Sequence, residues 1–163
     1  MEQSARTRDF ENVKAQVGYC GIWCGSCVVG NGALSGLTRR YRELIDAFGV
    51  LEWGPDDFDR QAFLKGLESI QGMPTCPGCL KGGGRDDCEM RACALSYGVD
   101  ECSKCDTIAT CKHSEILRRM RSGALAAGLF VKAEFADKQD LIDTWMPELK
   151  NRWPCRILFE DCQ

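Results

Sequence analysis

Histidine is almost absent from this 163-residue sequence, in which His113 is the only one. Zinc hydrolases of the common kinds need two or three histidines around an open coordination position, so the sequence cannot supply such a site. His113 and Glu115 resemble the His-x-Glu element of zinc deaminases, but they follow the Cys-x-x-Cys pair instead of preceding it. We reject that assignment. His113 is interpreted as a histidine at a helix start, and a ligand role beside Cys111 is the open alternative.

Long apolar runs and phosphate-binding motifs are also missing. No stretch approaches the ~18 consecutive apolar residues that read as a membrane-spanning helix. The polar N-terminus, residues 1–16, has no apolar region of the kind found in secretory signals, and we therefore expect a cytoplasmic protein with no membrane partner. The motifs of P-loop, dinucleotide-binding and hydrolase sites do not occur, because the glycines at 82–84 lack the flanking strand and helix of a phosphate loop.

An excess of basic residues is the third feature that the sequence lacks. It contains 21 Lys and Arg against 24 Asp and Glu, a formal charge of −3. Metal held by thiolates makes the protein more acidic still, whereas nucleic-acid binding leaves a basic footprint. We therefore expect a protein partner and not a nucleic acid. Two arginine trios lie within helical patterns and are interpreted as solvated faces: Arg39, Arg40 and Arg42, and Arg118, Arg119 and Arg121.

Cysteine, by contrast, is abundant, with twelve in the chain. In a reducing cytosol clustered cysteines favour metal ligation over disulfides, and a Cys-x-x-Cys turn directs two sulfurs at one tetrahedral ion. A disulfide scaffold is the alternative, and it would need an export route that the sequence does not reveal. The predicted metal ligands are Cys20, Cys24, Cys27, Cys76, Cys79, Cys88, Cys93, Cys102, Cys105 and Cys111.

The first three of these cysteines lie in one short loop with the spacing Cys-x3-Cys-x2-Cys. One interpretation is three ligands of a zinc site whose fourth ligand comes from elsewhere. The other is an iron–sulfur cluster like that of radical S-adenosylmethionine enzymes, in which three thiolates leave one iron free. The partial barrel of those enzymes needs repeated strand–helix units, and this sequence offers one weak strand, at Val13–Tyr19. Zinc is therefore preferred.

The remaining seven predicted ligands lie between Cys76 and Cys111. Pro77 and Gly78 suit a type II turn with a positive φ at the glycine, which would preform the first knuckle. Cys88 and Cys93 are five residues apart in a predicted helix, so they could share an ion only if Cys88 lies at or before the helix start. Lysine and arginine side chains that could offset thiolate charge, or else lie plainly on the surface, are Lys81, Arg85, Lys104 and Lys112.

Ten thiols exceed the eight that two four-cysteine sites require, so the grouping stays open. The preferred grouping is Cys76, Cys79, Cys102 and Cys105, because this spacing is close to that of zinc ribbons. The first loop would then take its fourth ligand from Cys88, Cys93 or Cys111. A sequential grouping is the alternative.

Apolar periodicity predicts a mainly α fold, with a small α+β fold possible, in a single compact domain with a cysteine-rich zinc-knuckle region. Residues 1–12 are predicted to be a loose arm, 13–121 the cysteine-rich metal-binding core and 122–163 a C-terminal helical packing segment. Helices are predicted over 34–48, over 56–71 with Asp56 or Asp57 as cap, over 88–97, after Cys111, and over 137–145 with Pro147 as stop.

Two sets of apolar residues are predicted to pack in the core. The first helix is expected to turn one side towards the core, formed by Leu34, Leu37, Tyr41, Leu44, Ile45 and Phe48. The tail is expected to dock through Trp153, Ile157, Leu158 and Phe159. Cys155 and Cys162 lack knuckle spacing and are interpreted as packing residues or free thiols.

The order of the ten cysteines, starting at Gly18-Tyr19-Cys20, resembles a cysteine-rich prokaryotic family classed as a domain of unknown function. The resemblance extends over residues 18–121. It implies zinc binding, which is presumed for that family, through the ten cysteines from Cys20 to Cys111. It implies no reaction.

The sequence thus predicts a protein that binds about two zinc ions and serves as an interaction or accessory module, since closed four-thiolate sites leave no position for a substrate. The alternative is a redox protein with an iron–sulfur cluster at Cys20, Cys24 and Cys27. A carrier of metal or thiol equivalents is a third hypothesis and would need an exposed, labile site.

Overall fold

The computed structural model describes residues 2–153 and 158–159, with side chains from Arg8 onward. These residues form helices and no β-sheet, so the mainly helical prediction is confirmed. Two isolated antiparallel bridges, Val17 with Trp23 and Ile22 with Val131, are the strand-like pairings recorded within this part of the chain. The helices are α1 (Glu2–Lys14), α2 (Ala33–Ala47), α3 (Val50–Trp53), α4 (Arg60–Gln71), α5 (Glu89–Ser96), α6 (Ser114–Ala126) and α7 (Lys138–Asn151). None of these helices is both long enough and apolar enough to cross a lipid bilayer.

The core lies around Trp23, whose side chain is fully buried. Its indole packs against Phe130 and Trp145 with ring centroids 5.8 Å apart in both pairs. Its Nε1 donates to the Lys14 carbonyl at 2.7 Å, so the polar end of the ring is also satisfied. Phe10, Val17, Ile142 and Leu149 complete the buried cluster, and Trp145, Met146, Leu158 and Phe159 pack against it.

The prediction of a loose arm over residues 1–12 is wrong, because α1 occupies Glu2–Lys14. The segment is polar on average and shows almost no amphipathic period, which is why the sequence pattern missed the helix. Two apolar residues one turn apart, Phe10 and Val13, are nevertheless both buried. Tertiary packing of these two side chains therefore stabilises a helix that local sequence propensity does not predict.

The same helix removes most of the strand predicted at Val13–Tyr19. Lys14 is the last residue of α1, and only Val17 enters a bridge, with Trp23. The alternation of Val13, Ala15 and Val17 thus spans a helix end and a turn instead of one strand.

Helices α2 and α4 pack against each other close to the predicted positions, but the cap of α4 and the burial of α2 differ from the predictions. The cap is Asp59, which accepts from Ala62 N at 2.9 Å, in place of Asp56 or Asp57. The predicted core face of α2 is largely open, since Tyr41, Leu44 and Phe48 are 53%, 44% and 68% exposed. The reason is that α4 covers only part of this stripe, with Phe63 against Tyr41, and α3 also lies against α2, but no element closes over the exposed side chains in the described chain.

The prediction that Pro147 stops the last helix is wrong. Pro147 lies inside α7, which begins after its cap Asp137 and continues to Asn151. An internal proline costs a backbone hydrogen bond. The residues beyond it are anchored, since Leu149 is fully buried in the core. Leu158 and Phe159 dock as predicted, whereas Trp153 is exposed. Cys155, Ile157 and Cys162 lie outside the described residues.

We expect Trp23→Ala to lower the free energy of unfolding by about 3–5 kcal/mol, as is usual for a large aromatic side chain removed from a core. Trp53→Ala is the control, because Trp53 is 71% exposed. Its loss should cost about 1 kcal/mol or less. Urea denaturation followed by circular dichroism measures both, and equal losses would show that Trp23 does not anchor the core.

Candidate metal centres

The first cysteine loop is held in place by the core on one side and by backbone hydrogen bonds on the other. Trp23, between Cys20 and Cys24, donates its backbone N–H to the Phe130 carbonyl at 2.9 Å. Cys24 N donates to the Gln16 carbonyl, also at 2.9 Å. The buried indole therefore fixes the positions of the two cysteines that flank it.

The turn between Cys76 and Cys79 has the positive φ at Gly78 that its sequence predicts, but it is not the predicted type II turn. Gly78 has a φ of +88°, a conformation that favours glycine, although its ψ of 149° departs from a type II turn. Gln16 fixes this turn, because its Nε2 donates to the Pro77 carbonyl at 2.9 Å. Since Gln16 also binds the Cys24 backbone, one residue joins the knuckle to the first loop.

Four cysteines from three segments gather into a first cluster, defined as Cys20, Cys24, Cys79 and Cys88. Cys24 and Cys79 hydrogen-bond through their thiols, which raises the pKa of Cys24 and lowers the pKa of Cys79. Burial raises the pKa of Cys20, and the nearby thiols of Cys79 and Cys88 add to that rise. Such mutual effects require the sulfurs to be neighbours.

Gly18 provides the space for this cluster. A Cβ at Gly18 would lie 2.8 Å from the Cys79 sulfur and 3.9 Å from the Cys20 sulfur. Gly83 plays the same part for Cys76, whose sulfur would be 2.7 Å from a Cβ there. The distances of 2.8 Å to the Cys79 sulfur and 2.7 Å to the Cys76 sulfur are too short for ordinary contact. The absence of a side chain at Gly18 and Gly83 therefore leaves the space that these two sulfurs occupy.

Cys27 and Cys76 border the first cluster. Their backbones meet at Gly30, where a Cβ would lie 3.6 Å from the carbonyl oxygens of both residues. The charge of Cys27 also contributes to the raised pKa of Cys24. Six of the ten predicted ligands therefore lie in one region.

The other four cysteines form a second cluster, defined as Cys93, Cys102, Cys105 and Cys111, which lines one cavity of about 20 Å³ together with Ala94, Tyr97, Val99 and Ile108. The pKa of Cys102 is raised to about 11, chiefly by burial and also by the nearby Cys20 thiol, while the charge of Arg121 opposes the rise. Four thiols around a space of this size match the donor set of a structural zinc site.

Helix α5 separates Cys88 from Cys93. Cys88 is the N-cap of α5 with an extended backbone, which meets the condition that the spacing set for Cys88 and Cys93 to share an ion. Cys93, however, lies on the second turn of α5 and lines the cavity of the second cluster. The preferred grouping of Cys76 and Cys79 with Cys102 and Cys105 is thus not the one that the structure brings together. Ribbon-like spacing cannot reveal that α5 intervenes between the two knuckles.

Neither cluster has converged on a common point. In the part of the chain that is described, no group of three or more His, Cys, Asp or Glu side chains has the geometry to hold a metal ion. The same residues form no disulfide among the ten cysteines. The clusters are therefore defined by shared surroundings and chemistry.

A buried ion pair next to Cys102 was not anticipated from the sequence. Lys132 is 1% exposed and pairs with Glu101, whose side chain also accepts from Ser103 Oγ at 3.1 Å and pairs with Lys104 at 3.2 Å. Burial would raise the pKa of Glu101, but the hydrogen bonds from Lys132, Lys104 and Ser103 outweigh it and lower this pKa. The one signal in the sequence is a lysine that directly follows the apolar run Leu129–Val131.

The cations near the thiols differ from those singled out in the sequence. Lys81 donates to Asn12 and Lys104 pairs with Asp100. Arg85 pairs with Asp87, which raises the pKa of Arg85, and the nearby Cys88 adds a smaller contribution. Arg91 and Arg121 were not proposed for this role, yet their charges favour the ionised forms of Cys79 and Cys102, respectively.

His113 lies directly before α6, as predicted for a histidine at a helix start. Its Nδ1 is 3.2 Å from Glu89 Oε2, on the neighbouring helix α5. This contact ties the start of α6 to the start of α5, close to both Cys88 and Cys111.

Residues 16–115 match the family model described as "Protein of unknown function (DUF3795)", and the chain belongs to this family. The match spans all ten cysteines from Cys20 to Cys111, and it confirms the resemblance inferred from their order. Searches among curated proteins and among solved structures each return no match.

We expect Gly18→Ala to destabilise the protein by about 1–3 kcal/mol, because the new methyl group would displace the Cys79 sulfur. Gly66→Ala is the matched control, since a Cβ at Gly66 meets nothing within 4 Å and Gly66 lies inside α4. That change should stabilise by about 0.5–1 kcal/mol. Chemical denaturation measures both variants. If the two alanines have the same effect, the Cys79 sulfur does not depend on the space at Gly18.

Proposed function

We propose that this chain binds about two zinc ions through its clustered cysteines and serves as a cytoplasmic interaction or accessory module. The observation that carries the proposal is the second cluster, in which Cys93, Cys102, Cys105 and Cys111 line one cavity of about 20 Å³. Four thiolates complete the tetrahedral shell of a structural zinc ion and leave no position for a substrate. That chemistry favours stabilisation over catalysis.

The first cluster would hold the other ion. Cys20, Cys24, Cys79 and Cys88 are a second set of four thiols, with Cys27 and Cys76 beside them as alternative ligands. Thiols must lose their protons to bind zinc, so metal binding here would displace protons, among them those of Cys20 and Cys24, whose pKa values are raised. The positive charge of a zinc ion would stabilise the buried thiolates.

A protein partner is supported by the open face of α2 and α4. Leu37, Tyr41, Leu44, Leu67 and Trp153 line a groove of about 590 Å³ that is almost entirely apolar. Exposed apolar surface of this extent is typical of protein interaction sites. The groove lies on elements that contribute no predicted metal ligand, so binding and metal-dependent stabilisation would use different parts of the chain.

We expect protein purified without oxygen to be colourless and to contain about two zinc ions per chain, as closed thiolate sites imply. Elemental analysis and an absorption spectrum measure this directly. A brown protein with iron and acid-labile sulfide would overturn the zinc assignment and support the iron–sulfur alternative at Cys20, Cys24 and Cys27.

We expect zinc removal by a strong chelator to loosen residues 76–111 first and to leave α2 and α4 largely formed. The cysteine segment buries little apolar surface, with Leu80, Leu95 and Tyr97 at 40%, 61% and 64% exposure. A structural zinc can contribute an apparent ~10–16 kcal/mol, comparable with the ~5–15 kcal/mol stability of a whole domain.

Amide hydrogen exchange before and after chelation tests this expectation, and Cys76→Ser with Cys79→Ser provides the same test without a chelator. Unchanged protection over 76–111, once elemental analysis shows that the zinc is gone, would mean that the metal is not structural there. A transferable metal would then be the better explanation.

A further inference from the structure

The two cysteine clusters are joined by direct contacts between the residues that flank them. Cys102 N donates to the Tyr19 carbonyl at 2.8 Å, which places the second cluster one residue from Cys20. Arg121 Nε, on α6, donates to the Cys20 carbonyl at 2.8 Å. A ligand of each cluster is therefore fixed relative to a ligand of the other.

Lys132 makes the most buried of these connections. Its backbone N–H donates to the Gly21 carbonyl at 2.7 Å, inside the loop between Cys20 and Cys24. Its side-chain Nζ pairs with Glu101 and lies 3.4 Å from Ser103 Oγ. Glu101 and Ser103 are the residues directly before and after Cys102. One residue thus holds the first loop by its main chain and the second knuckle by its side chain.

The burial of Lys132 makes this connection stiff. Both partners of the ion pair are shielded from water, with Lys132 at 1% and Glu101 at 4% exposure. Separating a buried pair leaves an uncompensated charge, so the knuckle cannot shift away from the first loop without a large energetic cost. A movement of Cys20 or Cys24 towards a metal ion must therefore act on the segment that contains Cys102.

We infer that the two clusters bind metal cooperatively and that Lys132 is the positioning residue that couples them. The inference rests on the proposed zinc binding, because it concerns how the two ions affect each other. Neither cluster has converged on a point in this arrangement. Loading one cluster orders its ligands, and the rigid link through Lys132 and Glu101 then places Cys102 for the other, so the second ion binds more tightly than the first.

Native mass spectrometry of the full chain, prepared with one equivalent of zinc, tests the coupling. Two independent sites leave half of the chains or more with a single zinc, whatever their relative affinities. For two sites of equal intrinsic affinity, a coupling of about tenfold, within the usual range for linked sites, lowers the one-zinc species to about a quarter of the chains. We expect the one-zinc species to fall clearly below half. A one-zinc species at half or more that Lys132→Met leaves unchanged overturns the cooperative model.

Lys132→Met should raise the one-zinc species to half or above, whereas Lys65→Met, an exposed lysine on α4, should leave the distribution unchanged. Lys132→Met with Glu101→Gln also removes the buried carboxylate, which the single change deprives of its buried partner and leaves with Lys104 and Ser103 alone. We expect this double variant to retain its helical circular dichroism and still to lose cooperativity. If it remains as cooperative as the unchanged protein, Lys132 is not the coupling residue.

The failure of this inference and the failure of the proposed function give different results. A chain that binds no zinc at any concentration contradicts the proposed function. A chain that binds two zinc ions with a large one-zinc population contradicts only the coupling.

Discussion

The burial of Trp23 is the interaction on which the arrangement of the cysteines depends. Its indole fills the centre of the apolar core, so the backbone on either side of it, at Cys20 and Cys24, is fixed relative to α1 and α7. Gln16 and Lys132 connect this loop to the two knuckles. Gln16 binds the turn between Cys76 and Cys79, and Lys132 pairs with Glu101 beside Cys102. The cysteines are thus attached to the core through the loop that contains Trp23.

Features that depend on neighbouring residues could be predicted from the sequence. The positive φ at Gly78 and the position of Cys88 at the start of α5 follow from local sterics and helix geometry, and both are confirmed. The predictions were wrong where packing against residues distant in the sequence determines whether a segment is helical. Phe10 and Val13 make a helix of a polar segment because the core covers them, and Leu149 carries α7 past Pro147 for the same reason.

The division of the cysteines could not be read from spacing, because spacing does not say what lies between two knuckles. Helix α5 sends Cys88 and Cys93 to different clusters, and the first loop adjoins both knuckles, one through Gln16 and Pro77 and the other through the hydrogen bond from Cys102 to Tyr19. The burial of Lys132 could not be predicted for a related reason. A lysine is usually a surface residue, and only the position of Glu101, 31 residues away, makes its burial tolerable.

The exposed stripe on α2 follows from the same distribution of apolar residues. The large side chains of α1, α7 and the first loop converge on Trp23, and the cysteine segment has few to contribute. Tyr41, Leu44 and Phe48 are therefore covered only in part in the described chain, Tyr41 by Phe63. Their exposure costs stability as long as no other surface covers them, and exposed apolar patches of this kind mark interaction sites. Under the proposed function, a partner surface covers this groove while zinc holds the cysteine segment, so neither task draws on the apolar core around Trp23.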